Sequence, residues 1–358
     1  MFSLSAIVTF LVVLGVLVFV HEFGHYIVAR MCGVQVQTFS LGFGPKIVSK
    51  KWGPTEYCLS IIPLGGYVRL LGDDPKEEVT PEERGRSFLA QSVKKKIAIV
   101  VAGPVFNLLL ALFIFVGVFM AGVPILTSDV GEIQEGSAAA AGGMKNGDRI
   151  VAIEGKPITQ WEEIRETLQK NGGRELHFVV ERNGEKVDLR VTPMMKETKD
   201  VLGDSHPLWL IGILPKGTHI IKHYDPLTAA TMGMQRTWDM MKLNVLGIIR
   251  LIQGRISSDA IGGPILIAQM AGQQANEGVM NVVLFIAILS INLGIINLFP
   301  IPILDGGHLL FFIIEGILGR PLSLKKREIA QQVGLFIIIS LMVFAFYNDI
   351  MRFFVKPG

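Results

Sequence analysis

His21, Glu22 and His25 make an H-E-x-x-H pattern. On a helix, positions 21 and 25 lie one turn apart on one face, where both imidazoles can bind a single metal ion. Glu22, beside the first of them, is then close enough to take a proton from a metal-bound water. A catalytic zinc takes three protein ligands and a water, so a third ligand must come from elsewhere in the chain. Asp305 is the only carboxylate between Glu277 and Glu315, and it follows the proline-containing run Phe299-Pro300-Ile301-Pro302-Ile303-Leu304. His308, three residues on, is an alternative third ligand.

A membrane must position these residues. The chain has 358 residues, of which 50% are hydrophobic and 18% charged, and its mean hydropathy is +0.47. That is too apolar for an ordinary soluble domain. Four runs, 4–29, 97–123, 279–300 and 329–347, reach the roughly 20 residues needed to cross about 30 Å of hydrocarbon. The first carries H-E-x-x-H, and the third leads into Asp305. Each charged residue at mid-membrane costs about 2.5–3.5 kcal/mol on insertion scales, so ionisable groups held there point to function. Two prolines and two glycines around Asp305 predict irregular backbone, which membrane depth tolerates only where it is buried in protein or lines a cavity. The first run has no basic flank and no small-residue cleavage site before the histidines, so it reads as a retained span rather than a secretory signal.

Basic residues flank the spans unevenly. Arg30, Lys46, Lys50, Lys51, Arg69, Lys76, Arg84, Arg86 and Lys94-Lys95-Lys96 lie between spans one and two, and Arg320, Lys325, Lys326 and Arg327 precede span four. These loops are expected in the cytosol, which puts both termini and the region between spans two and three outside. Cys32 and Cys58 form neither a CxxC pair nor a disulfide framework and read as reduced thiols. The net charge of +3 is unevenly spread and says little. No nucleic-acid partner is expected.

Residues 34–71 alternate apolar and polar positions between glycines (Gly42-Phe43-Gly44-Pro45, Gly65-Gly66), which predicts short strands and tight turns. This loop is apolar enough to dip against the membrane beside the histidines, the alternative being a small soluble hairpin. Residues 73–86, acidic and with two prolines, read as an exposed loop. Gly103-Pro104 and Asn107 in span two are assigned to close helix packing. Residues 124–215 form a soluble unit. It has a helix near 161–169 and strands near 175–181 and 185–192, joined by Asn183-Gly184, a strong hairpin signal. Residues 228–253 read as an amphipathic helix, placed on the outer membrane surface or against the soluble unit.

The soluble unit, with its Gly142-to-Gly155 run of pattern GM-x-x-GD-x-I-x-x-I-x-G, resembles a bacterial, circularly permuted PDZ domain. Such a domain binds extended peptides by strand addition. H-E-x-x-H in the first span, Leu304-Asp305-Gly306 after the third and a PDZ unit between them together resemble the site-2 protease family of intramembrane zinc metalloproteases. The likeness runs over essentially the whole chain, with room for one PDZ unit where some members carry two.

That resemblance implies a polytopic α-helical membrane protein with four transmembrane helices, a membrane-associated β element and one inserted extracytoplasmic PDZ domain. The expected divisions are 1–123, 124–215, 216–278 and 279–358. They correspond to a membrane half, the PDZ unit, a linker with the surface helix, and a second membrane half. One zinc ion per chain would be held by His21, His25 and Asp305, with Glu22 as general base. Asn297, and more weakly Asn292, would contact the substrate backbone. Gly42, Phe43 and Gly44 would belong to the β element that pairs with an extended substrate. The implied location is a bacterial inner membrane. The implied substrates are single-span membrane proteins of the anti-sigma-factor or signal-peptide-remnant type. The PDZ groove would take a peptide C-terminus, or the unit would act as a size filter. Two other functions fit parts of the pattern: an anchored zinc peptidase acting outside the bilayer, and a non-enzymatic PDZ scaffold. Asp305 argues against the first and the intact Glu22 against the second.

Overall fold

The computed structural model describes residues 4–74, 76–199 and 205–355. Two compact units emerge, residues 1–117 with 230–358, and residues 118–229. In the first, helix α1 (Leu4–Met31) has 28 residues, about 42 Å at 1.5 Å per residue, enough to cross a bilayer. It is apolar around most of its circumference and leaves Leu4, Ile7, Val8, Leu11 and Val12 exposed, as a lipid-facing helix does.

After α1 come two long strands, β1 (Val36–Trp52) and β2 (Thr55–Leu70), where short strands were expected. They fold back on themselves: Thr38 pairs with Arg69 on one side and Glu56 on the other, while Trp52 pairs with Thr55. The segments therefore lie in the order 66–70, 36–41, 56–59, 46–52. Gly42 makes the bend possible. Its φ is +90°, and a Cβ there would sit 2.8 Å from the Ile62 carbonyl oxygen and 2.9 Å from that of Ser60. The inner part of β1 joins a core of Tyr26, Ala29, Val36, Phe39, Ile99 and Phe312. The far part of β1 leaves Ile47, Val48 and Trp52 exposed, and β2 leaves Leu59 and Ile61 exposed, apolar surface of the kind that marks a membrane or partner contact.

Helix α2 (Val93–Ala121) runs on through Pro104. Beyond it lie β3 (Val123–Leu126), β4 (Val130–Ile133), α3 (Ala138–Ala141), β5 (Arg149–Ile153), β6 (Lys156–Pro157) and α4 (Trp161–Asn171). Six further strands complete the unit: β7 (Leu176–Arg182), β8 (Glu185–Val191), β9 (Met194–Lys199), β10 (Ser205–Leu210), β11 (Ile213–Pro215) and β12 (His219–Lys222). A four-stranded sheet of order β6-β5-β7-β8 packs with α4 around Ile150, Ile153, Ile164, Leu168, Phe178 and Val180. Asn183 and Gly184 have φ of +54° and +85°, as the two-residue turn between β7 and β8 requires. The unit extends beyond the expected 124–215 because β12 pairs with β3 and brings residues 219–222 back beside the end of α2.

Asp148, of the GD dipeptide, shows what that motif does here. Its side chain is 1% exposed and accepts from Arg182 Nε at 2.7 Å and Nη2 at 2.8 Å. It also accepts from the Lys145 backbone N–H at 2.8 Å, so it ties the 143–147 turn to β7. Burial alone would raise its pKa; hydrogen bonding to Arg182 and to the Lys145 amide outweighs that and holds it below the ordinary carboxylate value. A depressed folded pKa stabilises fully above the unfolded value, near 4, and the contribution disappears as pH falls through the folded pKa. We therefore expect hydrogen exchange at β5 and β7 amides of the full-length protein to quicken below about pH 4. Asp148→Ala should quicken it at neutral pH by the equivalent of about 2–4 kcal/mol. Exchange in these strands unchanged by the substitution would contradict this role.

The first unit resumes with α5 (Pro226–Ile252), which crosses the boundary as α2 does. Helix α6 (Pro264–Glu277) was expected to be linker. It is a packed helix because Gly272 is small enough to meet α1 at Ala6. Asp349 also caps its N-terminus, accepting from the Gly263, Ile265 and Leu266 amides at 2.9–3.1 Å. Then follow α7 (Val279–Asn297), α8 (Asp305–Leu318) and α9 (Leu324–Val355), which carries Asp349. Helices α1, α2, α7 and α9 are long and apolar enough to cross a membrane. The third run stops at Asn297, short of the expected residue 300, because Pro300 and Pro302 lack the N–H that would continue the helix. Buried Glu315 of α8 is neutralised from two sides, by Lys96 of α2 at 2.5 Å and Arg327 of α9 at 3.3 Å.

Candidate metal centre

The two histidines face α2 across an interface made of very small residues. A Cβ on Gly24 would lie 2.5 Å from the Ala102 carbonyl oxygen, and one on Gly103 would overlap His25 Nε2. The α1–α2 backbones approach closely because these glycines present no side chain. Gly103→Ala should push the His25 imidazole away and lower zinc affinity by at least about tenfold, the scale of losing a ligand's support. Competition with a chromophoric chelator measures this, and wild-type affinity in the variant would contradict it.

Asp305 reaches the same place from the other half of the unit. After α7 ends, residues 298–304 form a tight irregular loop, closed by Ile301 N–H to Phe299 O at 2.7 Å and Leu304 N–H to Ile301 O at 2.8 Å. Helix α8 starts at Asp305, so the carboxylate sits in its first turn, where the helix dipole favours negative charge. Gly306 and Gly307 do not break the helix, as the sequence alone suggests, but open it. A Cβ on Gly306 would overlap the Leu298 and Phe299 carbonyls, and one on Gly307 the Ile301 carbonyl. Only glycine lets the first turn of α8 lie directly on the loop.

His21 Nε2, His25 Nε2 and the Asp305 carboxylate form a triangle. Its sides are 3.3 Å between the two nitrogens, 3.1 Å from His21 Nε2 to Asp305 Oδ2 and 3.5 Å from His25 Nε2 to Asp305 Oδ1. Tetrahedral zinc with bonds of about 2.0–2.1 Å has ligand–ligand edges of about 3.3 Å. The three contacts, the two to Asp305 made through different carboxylate oxygens, are near that edge, and one ligand atom from each residue lies within 4.8 Å of the others. Asp305 Oδ2 is buried and has no hydrogen-bond partner among the described residues. His25 Nδ1 lies 2.8 Å from the Ile99 carbonyl oxygen, which can only accept. The proton is thereby fixed on Nδ1, and the Nε2 lone pair points into the triangle, as metal ligation requires. The donor set of two imidazoles and one carboxylate suits zinc, with a fourth position open.

A cavity of about 320 Å³ opens onto this triangle. It is lined by His21, Glu22, Asp305 and Asn297, with Phe43, Gly65 and Gly66 contributed by the β1–β2 hairpin. Gly66 brings β2 hard against α1: a Cβ there would lie 2.8 Å from Val18 and 3.1 Å from Glu22. The structure thus gathers the two histidines, Glu22, Asp305, Asn297 and Phe43 around one space. It does not bring Asn292 there, five residues before Asn297 and on another face of α7; Gly42 and Gly44 flank Phe43 without lining the cavity. His308 faces a different cavity, with Asp73 and Arg327, and is not a member of the ligand triangle. Sequence reasoning missed Asn107, whose amide nitrogen is 3.1 Å from His21 Nδ1. The available signal was a fully polar side chain in the middle of an apolar span, one turn beyond Gly103.

The model of peptidase family M50 matches residues 9–341. A predicted zinc metalloprotease of Agrobacterium fabrum is 40% identical over 98% of this chain and 96% of its own length. A similar protein of Rhizobium meliloti is 38% identical over 96% and 95%. The regulator of sigma-E protease RseP of Salmonella typhimurium is 33% identical over 96% of this chain and 98% of its own. That last alignment runs over 446 positions against the 358 residues here, so the relative carries residues with no counterpart in this chain.

Proposed function

The chain belongs to peptidase family M50 and is a zinc-dependent metalloprotease with the spans of a multi-pass membrane protein, and from that premise we propose that it cuts transmembrane segments of other proteins within the bilayer. The observation that carries this reading is the shared cavity. Glu22 and the two histidines lie within the apolar span α1, Asp305 meets them from the start of α8, and the cavity beside them is walled by the end of α7 and an apolar β hairpin. His21, His25 and Asp305 would hold the zinc, which would supply Lewis acidity toward a water and a peptide carbonyl. Glu22 accepts a proton from the attacking water and returns it to the leaving nitrogen. A substrate helix has its carbonyls tied up in hydrogen bonds and must open locally before attack. Asn297 at the cavity wall offers a donor and an acceptor to the freed backbone, and the hairpin at Phe43 offers an edge for an added strand. Asn292 is the weaker candidate for such a contact, since it would need the substrate to extend along α7.

The substrates we propose are single-span proteins of a bacterial inner membrane, such as a trimmed anti-sigma factor or a signal-peptide remnant. Both termini and the 118–229 unit lie outside the cytosol in this reading, supported by the basic flanks of α1, α2 and α9. We assign the 118–229 unit as a PDZ domain on its GD motif, its sheet and its single long helix. Such a unit binds a peptide C-terminus or excludes substrates with bulky outer domains. The test is to incubate the purified protein in detergent with a tagged single-span substrate, already trimmed on its outer side, and to map cuts by mass spectrometry. Cleavage inside the apolar segment, abolished by chelator, is the expected result. Cuts confined to residues outside the segment would replace this reading with that of an anchored peptidase.

A further inference from the structure

The geometry points to Asn107 as a positioning residue that sets the tautomer of His21 and so the affinity for zinc. This rests on the metalloprotease reading above and concerns a residue that holds no metal itself. Asn107 lies on α2 with no exposed surface, and its backbone is fixed by the Ser290 hydroxyl, which donates to the Asn107 carbonyl at 2.7 Å.

Both ring nitrogens of His21 face amide nitrogens. Asn107 Nδ2 is 3.1 Å from His21 Nδ1, and Asn297 Nδ2 is 3.4 Å from His21 Nε2. A neutral imidazole has one N–H and one lone pair, so it cannot accept at both nitrogens. One amide must be turned, and the oxygen and nitrogen ends of an amide have nearly the same shape. Metal ligation decides which. Nε2 is the corner of the ligand triangle and must keep its lone pair, as His25 does with its Nδ1 proton held by the Ile99 carbonyl. The proton of His21 then sits on Nδ1 and needs an acceptor. Asn107 Oδ1, now buried with no hydrogen-bond partner, becomes that acceptor when the amide turns over. With Nδ2 toward His21 instead, Nδ1 accepts and the proton moves to Nε2, where it blocks the metal and points at Asp305 Oδ2 3.1 Å away. The two orientations of one side chain are thus a ligating and a non-ligating form of His21.

The experiment compares the zinc affinity of full-length wild type, Asn107→Asp and Asn107→Leu by competition with a chromophoric chelator. The visible spectrum of the cobalt-substituted proteins is the second readout. Leucine fills a similar volume and cannot hydrogen-bond, and its affinity should fall about 10–100-fold, the usual effect of removing a partner of a ligating histidine. Aspartate only accepts, so it should bind zinc at least as tightly as wild type and keep the wild-type cobalt spectrum. Leucine at wild-type affinity would overturn the proposal. Aspartate falling well below wild type would also overturn it, because two acceptors would then oppose each other at Nδ1; this arm decides even if the leucine variant fails to fold. Wild type that takes up no zinc would refute the metalloprotease reading itself, whereas an altered position of substrate cleavage with the affinity ranking intact would touch only the proposed function.

Discussion

Glu22→Gln should lose cleavage by about three to four orders of magnitude while its zinc content stays at that of wild type. A positioned general base contributes up to about 10⁴-fold, and here the same side chain must take a proton and later give it back. Glutamine keeps the shape and the burial but cannot accept a proton at neutral pH. The metal should be unaffected, because Glu22 is outside the triangle formed by His21, His25 and Asp305. It lines the same cavity, where an attacking water and a peptide carbonyl would meet. The measurement pairs zinc stoichiometry by mass spectrometry or atomic absorption with single-turnover cleavage of a single-span substrate. Full activity in the variant would remove Glu22 from the chemistry. Parallel loss of zinc would instead give Glu22 a structural share in the site.

The three residues proposed to hold the metal were legible in the sequence because their spacing is local or their setting is unusual. His21 and His25 declare themselves at i and i+4, and Asp305 stands out as a lone carboxylate in an apolar stretch. What the sequence did not disclose depends on contacts between residues far apart in the chain. The need for glycine at 103 comes from an imidazole on a helix some eighty residues earlier. Gly306 and Gly307 look like helix breakers, yet they allow a helix to start against its own preceding loop. Asn107 reads as packing until His21 is placed beside it. Helix α6 carries a weak apolar pattern, since it is held by a cap from Asp349 and by the close approach of Gly272 to Ala6 rather than by its own periodicity. The hairpin was foreseen as β structure but not as two strands each used twice, because pairing of one residue with two partners leaves no mark on the local pattern.

Removal of Asp305 should be the more severe of the two lesions at the metal. Structural zinc sites bind with about 10–16 kcal/mol shared over four ligands, which gives about 3–4 kcal/mol for each, or several hundredfold in affinity. Asp305→Ala should therefore leave the purified protein largely zinc-free and inactive, where Glu22→Gln stays loaded. The effect is not confined to one lost bond. The carboxylate touches both imidazoles, at 3.1 and 3.5 Å, and so links the first turn of α8 to α1. Asp305→Asn separates the two contributions. The amide preserves volume and one oxygen but no charge, so it should bind zinc more weakly than wild type and more tightly than the alanine variant. Adding excess zinc should then restore part of the activity to Asp305→Asn and little to Asp305→Ala. Wild-type zinc content and cleavage in Asp305→Ala would mean that the third ligand lies elsewhere. His308 would be the first residue to test, although its side chain faces another cavity in this structure.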